Sequence, residues 1–162
     1  MENCNLEEIV EYMEVIEFAL NTDNSVEKYA VEVLYVNEVY SVKKVAALPC
    51  TPPFIIGIMN FRGKIISVID IRNFLGFSVK KVDRDTVKKV IVIKVEEMEV
   101  GVAVDSILGC NKIPLAEIQK NLFTITNIKA DCFKGVTREM SIVLNIKNII
   151  EDEKIIVDEA VI

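Results

Sequence analysis

The sequence predicts a mainly β protein built from two small barrels. Valine and isoleucine make up 46 of the 162 residues, and their branching at Cβ suits a pleated strand better than a helix. Short apolar runs alternate with polar turns along the chain, as they do in small barrels. The segments VNEV (36–39) and VDSI (104–107) each lead from an apolar strand through an acid to a polar strand. This weak internal echo indicates two duplicated lobes.

The first predicted element pair is a β-hairpin. Glu11–Leu20 fits either a helix or a strand, and we predict a strand at least over Val15–Leu20 because a second apolar run, Tyr29–Val36, follows a short turn. That turn, Asn21–Ser25, contains Asn and Ser side chains that hydrogen-bond locally and tolerate left-handed backbone. A polar strand over Val39–Leu48 comes next. It ends in a proline-rich connection, since proline lacks the N–H donor that a strand needs.

A second hairpin and a helical turn follow. The strands Phe54–Phe61 and Lys64–Ile69 flank the dipeptide Arg62-Gly63, whose glycine supplies the positive φ of a tight turn. The segment Asp70–Gly76 predicts one short helix. We expect Asp70 to cap its N-terminus rather than to act as a general base, and Gly76 to close it in left-handed backbone.

The rest of the chain repeats the β pattern. Its predicted elements are a charged connection (Ser78–Thr86), strands over Val87–Val95 and Val100–Val104 around a charged turn (Glu96–Glu99), a short helix within Pro114–Leu122, and a strand over Ser141–Ile146. The predicted organisation is an acidic N-terminal segment (1–14), a first lobe (15–82), a second lobe (83–150) and an acidic tail (151–162).

Composition excludes several classes of function. The net charge of −6 and the pI near 4.8 argue against nucleic-acid binding, which requires a basic surface. Histidine is absent, which removes Ser–His and Cys–His nucleophilic pairs and histidine metal sites. No apolar run approaches the ~20 residues that span a bilayer, so we expect no membrane insertion. The acidic start does not resemble a signal peptide, so we expect a cytoplasmic protein.

No arrangement of reactive side chains predicts catalysis. The acids Asp70, Asp83, Asp85 and Asp105 are dispersed, and none is paired with a nucleophile. The cysteines form no Cys-x-x-Cys pair, which favours core positions or free thiols in a reducing compartment; they are Cys4, Cys50, Cys110 and Cys132. We therefore predict no catalytic residues, no metal site and no cofactor.

One stretch of the chain resembles a known family. Residues 53–72, PFIIGIMNFRGKIISVIDIR, are similar to the signature of CheW-like chemotaxis coupling proteins. In that signature a Gly-(Ile/Val)-x-Asn-Leu-Arg-Gly turn leads into a Pro-Val-x-Asp-Leu-Arg strand. Weaker similarities extend the resemblance over residues 15–150. The chain departs from the pattern at Phe61 (usually leucine), Ser67 (often proline) and Asn145 (often aspartate).

The resemblance implies a fold and a function. The fold would be two five-stranded SH3-like barrels packed together, with one or two short helices. The function would be that of a non-catalytic adaptor, which couples the cytoplasmic tips of methyl-accepting chemoreceptors to the regulatory domain of the CheA histidine kinase. The chain has no room for a kinase or receiver domain, so the free-standing coupler is implied. The alternatives are an adaptor of the same fold in another pathway, or a small β-barrel ligand-binding protein or hydrolase that uses Asp or Cys groups.

Arg62 is the first candidate for partner binding. One interpretation is an exposed turn arginine beside a carboxylate, an interaction that adds little stability. The other is that a rigid turn presents a planar, permanently charged group to a protein partner, as interfaces favour. The family resemblance favours the second interpretation.

Five further residues are candidates for the same site. The family places the strand end with Val36 and Glu38 near a partner-facing groove, although Val36 also fits ordinary core and Glu38 a solvated acid. Asn60 fits either a partner contact or a hydrogen bond within the hairpin turn. Gly57 and Gly63 fit structural roles whose loss would damage binding indirectly.

Overall fold

In a computed structural model, residues 9–22, 24–77, 80–120, 130–152 and 155 are described. Within these ranges ten strands form two five-stranded sheets, accompanied by two short helices. The strands are β1 (Tyr12–Asn21), β2 (Val26–Glu32), β3 (Val36–Ser41), β4 (Ile55–Phe61), β5 (Lys64–Ile69), β6 (Lys89–Val95), β7 (Met98–Val104), β8 (Ser106–Pro114), β9 (Phe133–Val136) and β10 (Ile142–Leu144). The helices are α1 (Ile71–Phe74) and α2 (Ile146–Ile150).

Each sheet contains both antiparallel and parallel pairs. The first sheet has the order β8-β1-β2-β10-β9, and the second has the order β3-β6-β7-β5-β4. The β2–β10 and β5–β7 pairs are parallel, and the other pairs are antiparallel. Isolated bridges from Ala46 to Ile58 and from Gln119 to Val136 bring the two ends of each sheet together. We refer to the closed sheets as the first barrel (β1, β2, β8, β9, β10) and the second barrel (β3 to β7).

The two halves of the chain exchange their hairpins. Each half contains a hairpin, three further strands and a short helix, but β1 and β2 join the strands of the second half, while β6 and β7 join those of the first. The predicted lobes 15–82 and 83–150 therefore do not correspond to separate sheets. Four pairings make the exchange: the antiparallel pairs β1–β8 and β3–β6 and the parallel pairs β2–β10 and β5–β7. None of these pairs is joined by a tight turn that would mark it in the sequence.

Most of the predicted elements are present, with shifted ends. The two predicted hairpins in the first half are confirmed as β1–β2 and β4–β5, and β6, β7 and the helix after Asp70 are also confirmed. The apolar run Tyr29–Val36 is interrupted by a 3-10 turn at Val33–Tyr35. The polar strand predicted over Val39–Leu48 begins three residues earlier than predicted, at Val36, and ends at Ser41.

Other predictions in the second half are corrected. The helix predicted within Pro114–Leu122 is a single 3-10 turn at Leu115–Glu117, and residues 121–129 lie outside the described part. The strand predicted over Ser141–Ile146 ends at Leu144. The Asn145 side chain then accepts a hydrogen bond from the N–H of Asn148 (3.3 Å) and caps α2. Strand β9 was not predicted, because its four residues include a glycine and a lysine.

The terminal segments are described only in part. Strand β1 begins at Tyr12, inside the predicted N-terminal segment 1–14, and residues 1–8 lie outside the described part. Of the predicted tail 151–162, residues 151, 152 and 155 are described. Ile155 is buried in the apolar core.

A large apolar core lies between the two barrels. Strand β6 is buried on both faces: Ile91 and Ile93 point into this central core, whereas Val90 and Val92 point into a second cluster inside the second barrel. A smaller cluster that includes Val15 fills the first barrel. Burial on both faces explains why β6 is a continuous apolar run without the alternation of a half-exposed strand. No helix in the described part of the chain has the length and apolarity to cross a bilayer.

Candidate partner-binding site

The β4–β5 turn presents Arg62 at the end of the second barrel. Phe61 pairs with Lys64, so Arg62 and Gly63 form a two-residue loop. Both have positive φ, 50° at Arg62 and 83° at Gly63, which is the pattern of a type I′ turn. Glycine was expected to supply the positive φ, but the structure shows that arginine adopts it as well.

Asn60 holds this turn from within. Its side-chain Oδ1 accepts a hydrogen bond from the backbone N–H of Gly63 at 3.0 Å. The bond satisfies a donor that the tight turn leaves unpaired, as short polar side chains commonly do. Asn60 is nevertheless exposed, so part of its side-chain amide is available to solvent even though Oδ1 bonds the turn.

Arg62 and Glu38 form an ion pair that joins two of the predicted site residues. The Arg62 Nη2 atom lies 2.9 Å from Oε2 of Glu38, and the side chains are 67% and 33% exposed. That carboxylate oxygen is buried and accepts no aligned hydrogen bond, so the attraction is electrostatic. The pair connects the β4–β5 turn to β3 across the mouth of the barrel. At this exposure we expect it to contribute little to stability.

Two aromatic rings support the arginine. Its guanidinium carbon lies 5.3 Å from the ring centroid of Phe61, within the range of a cation–π contact. The Phe61 and Tyr40 rings in turn make a T-shaped contact, with centroids 5.5 Å apart and planes at 85°. Sequence analysis assigned no role to Phe61 beyond its departure from leucine, and none to Tyr40. An aromatic residue preceding an exposed turn arginine is the signal that would have identified this support.

Val36 lies at a β-bulge beside this site. Val36 pairs with Ile93 and Glu38 pairs with Val92, so Asn37 is an extra residue on β3. A bulge bends its strand and changes the direction of the neighbouring side chains. Val36 itself packs against the central core, which agrees with the core interpretation of this residue.

The two glycines of the predicted site have different structural roles. A Cβ on Gly57 would lie 2.2 Å from the carbonyl oxygen of Ala46 and 2.8 Å from a methyl group of Val45. Only glycine permits this close approach between β4 and the backbone at Ala46. The same approach allows the bridge between Ala46 and Ile58 to form. A Cβ on Gly63 would meet nothing within 4 Å, so positive φ is its constraint.

Asp70 caps helix α1, as predicted. Its Oδ1 atom accepts from the backbone N–H of Arg72 at 3.1 Å, while its Oδ2 atom is buried without a hydrogen bond. Burial raises the pKa of the Asp70 carboxyl above its usual range, and the Arg72 guanidinium opposes that shift. The geometry is that of a helix cap rather than of a general base.

The raised pKa of Asp70 predicts a pH dependence. The folded protein binds this proton more tightly than the unfolded chain, so the stabilisation by protonated Asp70 is complete below the unfolded pKa of about 3.9 and is lost as pH rises through the folded pKa. Asp70→Asn keeps the capping oxygen and cannot titrate. We expect the unfolding free energy of the wild type, relative to Asp70→Asn, to fall over this pH interval. Urea denaturation of both proteins at several pH values measures their unfolding free energies. A difference between the two that stays constant with pH would contradict the prediction.

The described residues contain no obvious reactive centre. Among them, no group of three or more Cys, Asp or Glu side chains is arranged to hold a metal ion. Cys50 and Cys110 are exposed free thiols and the Cys132 side chain is buried, while Cys4 lies outside the described ranges. The surface around Arg62 instead combines a supported cation, a carboxylate and apolar neighbours, as protein interfaces do.

These features define a protein made of two interlocked β-barrels, with the Arg62 turn as its candidate partner-binding site. A family model described as a CheW-like domain matches residues 14–154. The chain belongs to this family of chemotaxis scaffolding and coupling proteins. Its scaffolding proteins are non-catalytic, which confirms that the chain is not an enzyme.

Individual relatives agree with the family match. The chain is 32% identical to the chemotaxis protein CheW of Thermotoga maritima over 115 residues, which cover 67% of the chain and 70% of the relative. It is 27% identical to the CheW protein of Treponema pallidum, with 70% and 68% covered. The crystal structure of the scaffolding protein TtCheW from Thermoanaerobacter tengcongensis matches with a TM-score of 0.70 at 25% identity, covering 89% of this chain and 96% of that one. This match confirms the predicted pair of SH3-like barrels.

Proposed function

We propose that this chain couples chemoreceptors to a histidine kinase. It would bind the cytoplasmic tips of methyl-accepting chemoreceptors and the regulatory domain of CheA, in the cytoplasm and without a cofactor. Membership of the CheW-like family supports a role in a chemotaxis signalling complex. The two specific partners and the residues that bind them are our inference.

The observation that carries the proposal is the position of Arg62. Left-handed backbone disfavours a residue with a Cβ by about 1–2 kcal/mol, and type I′ turns prefer Asn or Gly at this position. Arg62 nevertheless occupies it, with most of its side chain exposed. Backbone strain at an exposed residue is characteristic of functional positions. Glu38 and Phe61 restrict the guanidinium, so less side-chain freedom is lost when a partner binds.

Coupling of this kind requires only modest contacts. Repeated weak interfaces in an array gain persistence from multivalency. A coupler acts on kinase output by binding one kinase conformation better than another. The rigid turn at Arg62, bounded by two paired strands, suits such a contact because it does not have to be ordered on binding.

A charge exchange tests Arg62 separately from its ion pair. We expect Arg62→Ala to unfold at the same urea concentration as wild type, since the exposed pair contributes little, and to bind a receptor fragment or the kinase about tenfold more weakly. The double variant Glu38→Arg with Arg62→Glu restores the internal pair with reversed charges. It should not restore binding if Arg62 contacts a partner. Isothermal titration calorimetry with each partner measures the affinities.

Arg84→Ala is the matched control, because Arg84 is also exposed and its Nε atom lies 4.0 Å from the carboxylate of its neighbour Asp85, a weak ion pair. It should bind like wild type. Restored affinity in the double variant would assign Arg62 a structural role only. The coupling function itself is tested by mixing receptor fragment, kinase and this protein: kinase activity that is indifferent to the protein would refute it.

A further inference from the structure

A chain of polar contacts joins the two barrels at the end of β5. Arg72, in helix α1 of the second barrel, donates from Nη1 to the backbone carbonyl of Asn21, the last residue of β1 in the first barrel. The backbone N–H of Asn21 donates to the Asp105 carboxylate at 2.5 Å. Asp105 is the single residue between β7 of the second barrel and β8 of the first. The contacts therefore meet where the chain passes from one barrel to the other.

Arg72 is held in place by its own helix cap. Its side chain is 12% exposed, and its Nε atom lies 3.5 Å from Oδ1 of Asp70, whose side chain is 2% exposed. The same carboxylate accepts from the Arg72 backbone N–H. The buried Asp70 carboxylate thus contacts both the backbone N–H and the Nε atom of Arg72. These two contacts orient the planar guanidinium in a defined direction.

Most of the other contact between the barrels within the described residues is apolar and lacks direction. The central core is formed by apolar side chains from both sheets, such as Phe18 and Leu20 from β1 with Ile91 and Val104 from the second barrel. Apolar burial stabilises contact but does not specify an angle, because it depends mainly on the area removed from water. Directional hydrogen bonds between charged and polar groups can select one orientation out of several that bury similar area.

We propose that Arg72 is a positioning residue that holds the two barrels in one relative orientation. Strand β5 runs from the Arg62 turn to Asp70, a length of about 20 Å for six residues, so the partner-binding turn and the Arg72 contacts lie at opposite ends of one strand. A contact at Arg62 is thereby connected to the orientation of the first barrel. The effect of Arg72 on coupling rests on the proposed function; its effect on orientation does not.

Native cysteines allow the orientation to be measured directly. Cys50 lies in the connection bridged to β4 of the second barrel, and Cys110 lies on β8 of the first; both are exposed. Cys132 is 1% exposed and should resist labelling. Spin labels on Cys50 and Cys110, in a Cys4→Ser background, report the distance between the barrels by double electron–electron resonance. We expect Arg72→Ala to broaden or shift that distance distribution, and Arg84→Ala to leave it as in wild type.

Asp105→Ala tests the second contact of the same polar chain. Asp105 is exposed, and its loss removes the acceptor for Asn21 without opening a buried cavity, so a broadened distribution is expected here too. An unchanged distribution in folded Arg72→Ala would overturn the proposal. If Arg72→Ala is unfolded, Arg72→Lys, which keeps the charge but loses the planar guanidinium, is measured in its place, and an unchanged distribution there would overturn the proposal.

A functional measurement distinguishes positioning from general stability. With Arg72→Ala we expect the affinity for each partner alone to match wild type, while receptor-dependent kinase activation falls by about fivefold or more. Parallel losses of separate affinity and activation would show that Arg72 only stabilises the fold. If wild-type protein gives no receptor-dependent activation, the proposed function fails, and the distance measurement still decides the role of Arg72.

Discussion

Gly57→Ala should lower the free energy of unfolding by about 3 kcal/mol, the upper end of the range for overpacking a filled core. The added methyl carbon would lie 2.2 Å from the carbonyl oxygen of Ala46. A backbone atom cannot rotate away as a flexible side chain does. Relief therefore requires separating the strands at the Ala46–Ile58 bridge, whose two hydrogen bonds are 2.8 and 2.9 Å long, and this opens the second barrel between β4 and the segment that contains Ala46.

Gly63→Ala is the matched control for this change. It adds the same methyl group three residues after Asn60, where nothing lies within 4 Å. Its only penalty is the positive φ, about 1 kcal/mol. Urea denaturation followed by circular dichroism compares the two variants. Equal losses at Gly57 and Gly63 would show that the close approach to Ala46 is absent.

Phe18→Ala should lower the free energy of unfolding by 3–5 kcal/mol, the range for removing a fully buried phenylalanine. Phe18 is 0% exposed, and its ring stacks on that of Tyr29, with centroids 5.7 Å apart and planes at 17°. The side chain lies in the central core between the barrels. Its loss removes contacts that neither barrel replaces. Since domains of this size are stable by only about 5–15 kcal/mol, most of that margin would be lost.

Phe77→Ala provides the comparison. Phe77 is 40% exposed and touches Phe133 with centroids 6.0 Å apart, so we expect a loss of about 1 kcal/mol. Thermal unfolding followed at two wavelengths measures both variants. A loss at Phe18 no larger than at Phe77 would contradict the assignment of a shared core between the barrels.

Local sequence signals predicted the elements that depend on neighbours in the chain. The Arg62-Gly63 turn, the Asp70 cap and the hairpin around Asn21–Ser25 each arise from side chains within a few residues of one another. The family signature that includes Arg62 and Arg72 predicted the fold class and the family, and both are confirmed. Arg62 contacts Glu38, and Asn60 contacts Gly63; the role of these four residues in partner binding is still a prediction.

The sequence by itself determined a β-rich protein of the CheW-like family with an arginine on a tight turn. Tertiary structure decided how the strands are shared between the barrels, because the parallel pairs β2–β10 and β5–β7 join residues far apart in the chain and leave no turn signal. It also decided what the two arginines contact. Arg62 meets Glu38, and Arg72 meets Asn21; both partners lie on strands that reach them only when the barrels close and pack.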